Sequence, residues 1–310
     1  MVAFGQFLEV LVSGLLAGVL YSLVALGFVL IFKASGVFNF AQGAMVLTAA
    51  LALVRALDVF EQWHWPFGLA LLAAFAFAAV IMAIIAWMVE RLVLRKLVNQ
   101  EDIILFMATI GITFFLEGLA QTLFGADVYP LNVGLPKDPI FLLESLFDGG
   151  ILVNELDIWA AVAAGLLVAG LALFFQRTRI GRALRAVADD HAAAQSVGIP
   201  LNQIWFIVWL VAGLVALVAG AVWGSKLGVQ FSLSLLALKA LPVLILGGFT
   251  SVPGAIIGGL IIGAGEKLAE VFLGPSMGGG IEIWFAYVVA LLFLLVRPQG
   301  LFGERIIERV

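Results

Sequence analysis

The chain has 310 residues, of which 64% are hydrophobic and only 12% charged, with a formal net charge of −4. Soluble proteins carry about 45–50% apolar and about 25% charged residues, so this composition excludes a soluble enzyme, a disordered chain and a disulfide scaffold, and points to an integral membrane protein. The acidic balance argues against nucleic acid as a partner. The lack of cysteine removes disulfides and thiolate chemistry, and His64 and His191 lie too far apart in sequence to suggest a metal site.

The first residues, Met1 to Glu9, contain no basic region, and the apolar run behind them reads as a retained spanning helix and not a cleaved signal. At about 1.5 Å per residue, some 20 apolar residues cross the hydrocarbon. The expected spans are 7–32, 38–57, 66–89, 103–124, 158–176 and 204–224, then an interrupted stretch, then 283–296. The stretch 232–273 is too long for one helix, and Pro242, Gly247, Gly248, Pro253 and Gly254 interrupt it. It divides into a piece near 235–248 and a helix near 254–273. The expected fold class is an all-α integral membrane protein, a polytopic helix bundle of about eight or nine spans with discontinuous helices and a single domain over 1–310.

Basic residues set the orientation. Arg91, Arg95 and Lys96 follow the third span, Arg177, Arg179, Arg182 and Arg185 the fifth, and Arg297, Arg305 and Arg309 the last, and all belong on the cytoplasmic side. The loop 125–157, with Asp127, Asp138, Glu144, Asp148, Glu155 and Asp157 against Lys137, belongs on the extracytoplasmic side. The N-terminus is then outside and the C-terminus inside.

Asn39-Phe40-Ala41-Gln42-Gly43 is the most distinctive polar feature. Two amides flanking an aromatic ring at a helix start either cap the helix, with Asn39 as the cap and Gln42 in the first turn, or line a polar path. The stretch 177–203 is the longest hydrophilic segment on the basic side. Asp189 or Asp190 can cap a helix of about two turns from His191 to Val197, which Gly198 ends and Pro200 prevents from resuming. Its small residues Ala192, Ala193 and Ala194, with Val197 and Ile199, suit either a plain loop or a docking element for a cytoplasmic partner. A polar interruption early (35–43) and another late (225–254) hint at a transport pathway built from discontinuous segments.

The glycine spacings Gly14/Gly18, Gly254/Gly258 and Gly259/Gly263 suggest close helix packing. Trp63, Trp65, Trp159, Trp223 and Trp284 read as interfacial anchors. Glu117, Glu266, Glu270 and Lys239 fall in or near spans, each open to a functional or a simply paired reading. No phosphate loop and no nucleophile elbow occur, so the chain shows neither an energy source nor catalytic machinery of its own.

Gly27-Phe28-Val29-Leu30-Ile31-Phe32 followed by Gly36-Val37-Phe38-Asn39-Phe40-Ala41-Gln42-Gly43 resembles the G-[VL]-x-N-F-A-[HQ]-G signature of branched-chain amino-acid ABC transporter permeases, the LivH-like family. Gly181 to Asp190 with Ala192-Ala193-Ala194 and Gly198-Ile199 is similar to that family's cytoplasmic loop. Gly247 to Gly259 and Arg297-Pro298-Gln299-Gly300-Leu301-Phe302-Gly303 match as well. The resemblance runs from about residue 10 to 303.

It implies a type II-like ABC importer permease in the bacterial inner membrane, carrying Leu, Ile and Val. The implied partners are a second, LivM-like permease, two cytoplasmic ATP-binding subunits that hold ATP and Mg, and an extracytoplasmic substrate-binding protein. No cofactor is expected in this chain. The resemblance assigns Asn39, Phe40, Gln42 and Gly43 to the translocation pathway. It makes the segment with Asp189, Asp190, Ala192, Ala193, Ala194, Val197 and Gly198 the helix that couples to an ATPase. Gln42 stands where His is common, and Lys239 interrupts an otherwise apolar segment. The competing readings are the same architecture for another small solute such as urea, short amides or other amino acids, a stand-alone carrier or channel, and a membrane-embedded enzyme. The carrier would want acids along its spans, which are sparse, and the enzyme a nucleophile or acid–base pair, which is absent.

Overall fold

A computed structural model of the chain describes residues 2–97, 100–142, 150–189 and 191–303. Helices dominate it because a backbone in lipid must pair every amide within its own segment. In chain order they are α1 (Val2–Ser35), α2 (Gln42–Gln62), α3 (Phe67–Met88), α4 (Asp102–Phe124), α5 (Glu155–Arg177), α6 (Arg179–Asp189), α7 (His191–Ser196), α8 (Leu201–Leu227), α9 (Leu236–Gly247), α10 (Val252–Met277) and α11 (Phe285–Val296). Helix α3 runs on through a π-helical turn, Val89–Val93, and a 3-10 turn, Leu94–Lys96, so the first basic cluster caps a continuous rod. There Arg95 Nε pairs with Glu90 Oε1 at 3.2 Å, and the Arg91 guanidinium lies over the Trp87 ring.

Six of these helices are long and apolar enough to cross a membrane, and a seventh span is reached if the bent pair Phe231–Gly247 and Val252–Met277 counts as one. The expected eight or nine crossings are thus only approximate, the described residues offering six or seven. The two pieces of the interrupted stretch are bent by 112° to one another and pass the length and apolarity criteria only as a pair. Helix α11, of 12 residues, is about 18 Å long against a hydrocarbon core of about 30 Å.

The expected extracytoplasmic loop contains an antiparallel hairpin, β1 (Pro139–Leu142) with β2 (Ile151–Asn154), in which Pro139 faces Asn154 and Leu142 faces Ile151. Glu144 and Asp148 of that loop, like Asp190, Arg305 and Arg309, lie outside the described residues.

The chain divides into two units. One comprises Met1–Leu26, Gly134–Gly165 and Leu238–Val310, the other Gly27–Val133 and Leu166–Ala237.

In the first unit, α1 and α10 meet along the glycine seam that the spacing suggested. A Cβ added to Gly14 would lie 2.7 Å from the Ala264 Cα, and one added to Gly18 would lie 2.9 Å from the Leu260 Cα. Lipid tails are as apolar as leucine, so such helices are held by van der Waals contact, which glycine permits backbone to backbone. Ser22 Oγ, in the same seam, lies 2.9 Å from the Gly18 carbonyl and 3.3 Å from that of Ile256. At the bend, the end of α9 is closed by a later stretch of chain. Leu301 N–H donates to the Leu246 carbonyl at 2.8 Å, and Phe302 N–H to that of Gly247 at 3.1 Å. Ser251 caps α10 by accepting from Gly254 N–H at 3.0 Å.

The second unit is built around α2, which packs on α3, α4, α8 and the 3-10 turn Phe231–Leu235. All of Gln42–Val54 is buried. Trp223, expected at an interface, is instead buried in α8 with Trp205 and Trp209, whereas Trp63, Trp65, Trp159 and Trp284 are exposed as anchors should be. Tyr129 joins Val229 in an isolated antiparallel bridge and takes the Arg55 guanidinium over its ring at 5.0 Å.

Candidate functional site

Helix α1 stops at Ser35, where Gly36 N–H donates to the Phe32 carbonyl at 2.8 Å and the Ser35 hydroxyl bonds back to Ile31 at 2.7 Å. The chain then turns into the amide segment, all within the second unit. Phe38 stacks on Phe28, with ring centroids 5.0 Å apart, and Phe40 meets Phe106 edge-on. Phe40 N–H donates to Thr109 Oγ1 of α4 at 3.1 Å. Asn39 Oδ1 accepts from Ala41 N–H at 3.1 Å, an Asx turn that leads the chain into α2.

The two side-chain amides then bond in series. Asn39 Nδ2 donates to Gln42 Oε1 at 3.4 Å, and Gln42 Nε2 donates to the Ala212 carbonyl of α8 at 3.5 Å. Asn39 and Gln42 are each 0% exposed. Room for them comes from glycine: a Cβ on Gly27 would overlap the Gln42 amide, and one on Gly43 would overlap the Ser234 carbonyl.

The capping expectation for Asn39 is not met: the N-cap position of α2 is Ala41, no side chain caps the helix, and Asn39 instead closes a turn three residues before its first residue. In this conformation the amides face one another and α8, and neither presents surface to a path. What this arrangement does chemically is lock the start of α2 to α4 and α8 through polar contacts that an apolar interior makes costly to break.

The second candidate lies between α5 and α8. Thr178 Oγ1 accepts from Gly181 N–H at 2.9 Å and so caps α6. Gly181, Leu184 and Val187 of α6 are buried, whereas Arg179, Arg182 and Arg185 are exposed. This amphipathic helix was not foreseen in the sequence, although the three-residue spacing of its buried positions is a readable signal. It packs on α7 and α8.

The expected stop of α7 is present in full. Gly198 has φ +85°, Ile199 N–H donates to the Ala194 carbonyl at 3.0 Å, and Gly198 N–H to that of Gln195 at 3.0 Å. That is a Schellman motif, which uses a glycine in the left-handed region to satisfy the last carbonyls of a helix. Ala193 and Gly198 are exposed and Val197 is 75% exposed, but Ala194 is 2% exposed and points inward, off the outer face that it was expected to share. Asp190, one of the two expected caps, lies outside the described residues, and the side chains of Asp189 and Ala192 do so too.

A third group, in the first unit, contains Lys239, Glu266 and Glu270, which the sequence marked one by one, and Tyr21, Lys267 and Glu282, which it did not. Glu266 of α10 is 2% exposed, and Lys239 Nζ of α9 lies 3.9 Å from its Oε2. The same Nζ is 3.5 Å from the Tyr21 hydroxyl of α1 and 5.5 Å from the centre of that ring. Next to Glu266 on α10, Lys267 Nζ pairs with Glu282 Oε2 at 2.7 Å. Glu270 accepts from Gly280 N–H at 2.9 Å and from Glu282 N–H at 3.0 Å, which ties α10 to the turn that follows it. Glu117 is half-buried on α4. Among the described residues no group of three or more His, Cys, Asp or Glu side chains is placed to hold a metal ion.

Residues 10–297 match a family described as the permease component of branched-chain amino acid transport systems. The chain is 30% identical over 308 residues to the high-affinity branched-chain amino acid transport system permease protein BraD of Pseudomonas aeruginosa, covering 98% of each chain. It is 28% identical over 320 residues to the corresponding permease protein LivH of Escherichia coli K12, covering 99% of each. A relative from Methanocaldococcus jannaschii, a probable branched-chain amino acid transport permease protein LivH, is 27% identical and covers 91% of this chain and 88% of its own. The buried amides opening α2, the glycine-stopped α7 and the bent pair α9–α10 are thus features of a multi-pass membrane protein that belongs to the family of branched-chain amino acid transport permease components.

Proposed function

We propose that this chain is the membrane-spanning permease subunit of an ATP-driven importer, carrying branched-chain amino acids across a bacterial inner membrane. The observation that carries the reading is the match over residues 10–297 to a family of permease components, together with a surface element suited to an external energy source. That element is the pair α6–α7. It is anchored by Leu184, Val187 and Ala194, and it presents Ala193 and Val197 outward. A short helix with small exposed side chains admits a protein partner closely, and its fixed ends let a push on it reach α5 and α8.

The ATP and its Mg belong, in this reading, to two cytoplasmic ATP-binding subunits. A second, LivM-like permease completes the membrane part, and an extracytoplasmic binding protein delivers substrate to the side bearing the β1–β2 hairpin. The N-terminus is outside and the C-terminus inside, as the basic clusters at Arg91–Lys96 and Arg177–Arg185 require. The segment Asn39, Phe40, Gln42 and Gly43 borders the translocation pathway by fixing where α2 begins, and a coupled movement of α8 exposes it. An ATPase shifts the permease between states only through contacts that differ between them, and the outer face of α7 supplies such contacts.

The test is uptake of radiolabelled leucine, isoleucine, valine and urea in a strain lacking the gene. Loss of the three amino acids, restored by the gene, is expected. Unchanged amino-acid uptake with loss of urea would move the reading to another solute, and no change in any would remove it.

A further inference from the structure

The import reading leaves the charges of the first unit without a task. Helix α10 has 26 residues, and Glu266 sits near its middle, about 20 Å from its first residue. Tyr21 is likewise near the middle of the 34-residue α1. Lys239 lies in the first turn of α9, which follows a 3-10 turn and contains Pro242. Two helices of spanning length and the start of a broken one thus bring a cation, an anion and a hydroxyl together deep in an apolar unit.

The contacts tie α1, α9 and α10 together, but at a cost to the helices that carry the charges. A cation in a first turn opposes the helix dipole, and an ionised group within a span is costly wherever it is not used. Tyr21 bridges the cluster, its hydroxyl bonding Glu266 and lying 3.5 Å from Lys239 Nζ, but the two charges do not close on one another. Charge-assisted bonds run at about 2.7–2.9 Å, whereas Lys239 Nζ stands 3.9 Å from Glu266 Oε2. That oxygen is buried and has no hydrogen-bond partner. The lysine side chain is 33% exposed, so the pair is reached from its cationic end.

We propose that Lys239, Glu266 and Tyr21 form an intramembrane station for a zwitterion. The carboxylate of a passing amino acid pairs with Lys239 beside the first-turn N–H groups of α9, and its ammonium takes the open Oε2 of Glu266. The Tyr21 hydroxyl, bonded to Glu266 and within reach of Lys239, steadies both. The proposal rests on the amino-acid reading above and deepens it. A zwitterion carries one charge of each sign on adjacent atoms, so it exchanges with the internal pair without leaving a net charge in the apolar interior. A sugar or urea supplies neither charge and gains nothing from the exchange. When the substrate leaves, the lysine and the carboxylate re-form their contact.

The experiment uses the reconstituted complex with its ATP-binding subunits and binding protein. Removing one charge leaves the other buried and unpaired, which by itself destabilises a protein. The informative variant is therefore the double one, Lys239→Met with Glu266→Gln, which removes both. Assembly and ATP hydrolysis are expected to persist while leucine uptake falls at least tenfold. Wild-type uptake by the double variant would make the pair purely structural and overturn the proposal.

A second measurement uses the wild-type complex without binding protein and so does not depend on any variant folding. Leucine, 4-methylpentanoate and 3-methylbutylamine are titrated against thermal unfolding. Leucine is expected to act at a concentration at least tenfold lower than the two analogues, each of which lacks one charge. Equal midpoints, or no effect of leucine, would overturn the station. The import reading fails separately, if the wild-type complex takes up no leucine at all.

Discussion

Replacing Gly14 with alanine adds one methyl group within the close-packed α1–α10 seam. That Cβ would stand 2.7 Å from the Ala264 Cα and 2.8 Å from the Gly263 carbonyl oxygen, where ordinary contact begins at 3.4 Å. Both are backbone atoms, so no side chain can swing aside. The helices must separate by about 0.7 Å, the difference between 3.4 and 2.7 Å. Overpacking of this kind costs about 1–3 kcal/mol, and a gap of 0.5–1 Å forfeits about a quarter to a half of each neighbouring contact. Alanine returns up to about 1 kcal/mol through its better helix propensity. With the full propensity return the net loss is about 0–2 kcal/mol, which at roughly 2–4 °C per kcal/mol lowers the melting temperature by up to about 8 °C. Tryptophan fluorescence of the detergent-solubilised protein during heating reads this. The matched control is Gly118→Ala in α4, where an added Cβ meets nothing within 4 Å and only the propensity gain remains. The Gly14→Ala protein should melt below the Gly118→Ala protein by the overpacking cost of about 1–3 kcal/mol. A Gly14→Ala protein that melts at or above the Gly118→Ala protein would refute backbone contact as what holds α1 to α10.

Asn39→Leu leaves the Gln42 Oε1 without its donor in a buried setting, at a cost of about 1–3 kcal/mol, so leucine uptake and melting temperature should fall together while the complex still assembles. Normal uptake by that variant would detach the amide pair from transport. Ala193→Glu, on the exposed face of α7, should uncouple ATP hydrolysis from uptake or release the ATPase with the membrane helices intact, whereas Ala194→Glu buries a charge and should reduce the amount of folded protein. Identical behaviour of the two in expression, ATPase pull-down and uptake would contradict the assigned faces. A cysteine placed at the exposed Asp138, in a chain that has none of its own, should react with an impermeant maleimide added outside intact cells. Reaction only after the inner face is opened would invert the topology.

The spans were legible because apolar length is a local property. Helix α4 was expected at 103–124 and runs Asp102–Phe124, and α9, expected near 235–248, runs Leu236–Gly247. The stop of α7 was legible for a similar reason, since a glycine followed two residues later by proline admits few backbone paths. What could not be read depends on partners distant in sequence. The 112° bend between α9 and α10 is set by how two helices meet, which neither Pro242 nor Gly248 states alone. Gln42 looked free to line a path, and only the position of Ala212 on α8 shows that its amide is engaged. Lys239 and Glu266 each stood out as a charge in an apolar run, but their pairing belongs to the fold. Helix α6 is a different case. Its pattern was present, and the arginines around it drew the reading towards a loop.

The two hydrogen bonds by which Leu301 and Phe302 close the end of α9 set an order on synthesis. The Leu246 and Gly247 carbonyls leave the ribosome roughly 55 residues before their donors do, an interval of about 3–11 s at 5–20 residues per second. An unpaired carbonyl costs several kcal/mol in hydrocarbon. During that interval the bend cannot settle at its final depth unless water, headgroups or the insertion machinery stand in for the missing N–H groups. The bend is therefore among the last parts of its unit to mature, after α11 has been made, and protease access to the 247–252 turn in ribosome-held chains of increasing length would follow its closure. A helix-by-helix picture of insertion does not apply here, because a substitution near residue 300 that disturbs the donor strand acts as a defect in a turn completed in sequence some fifty residues earlier.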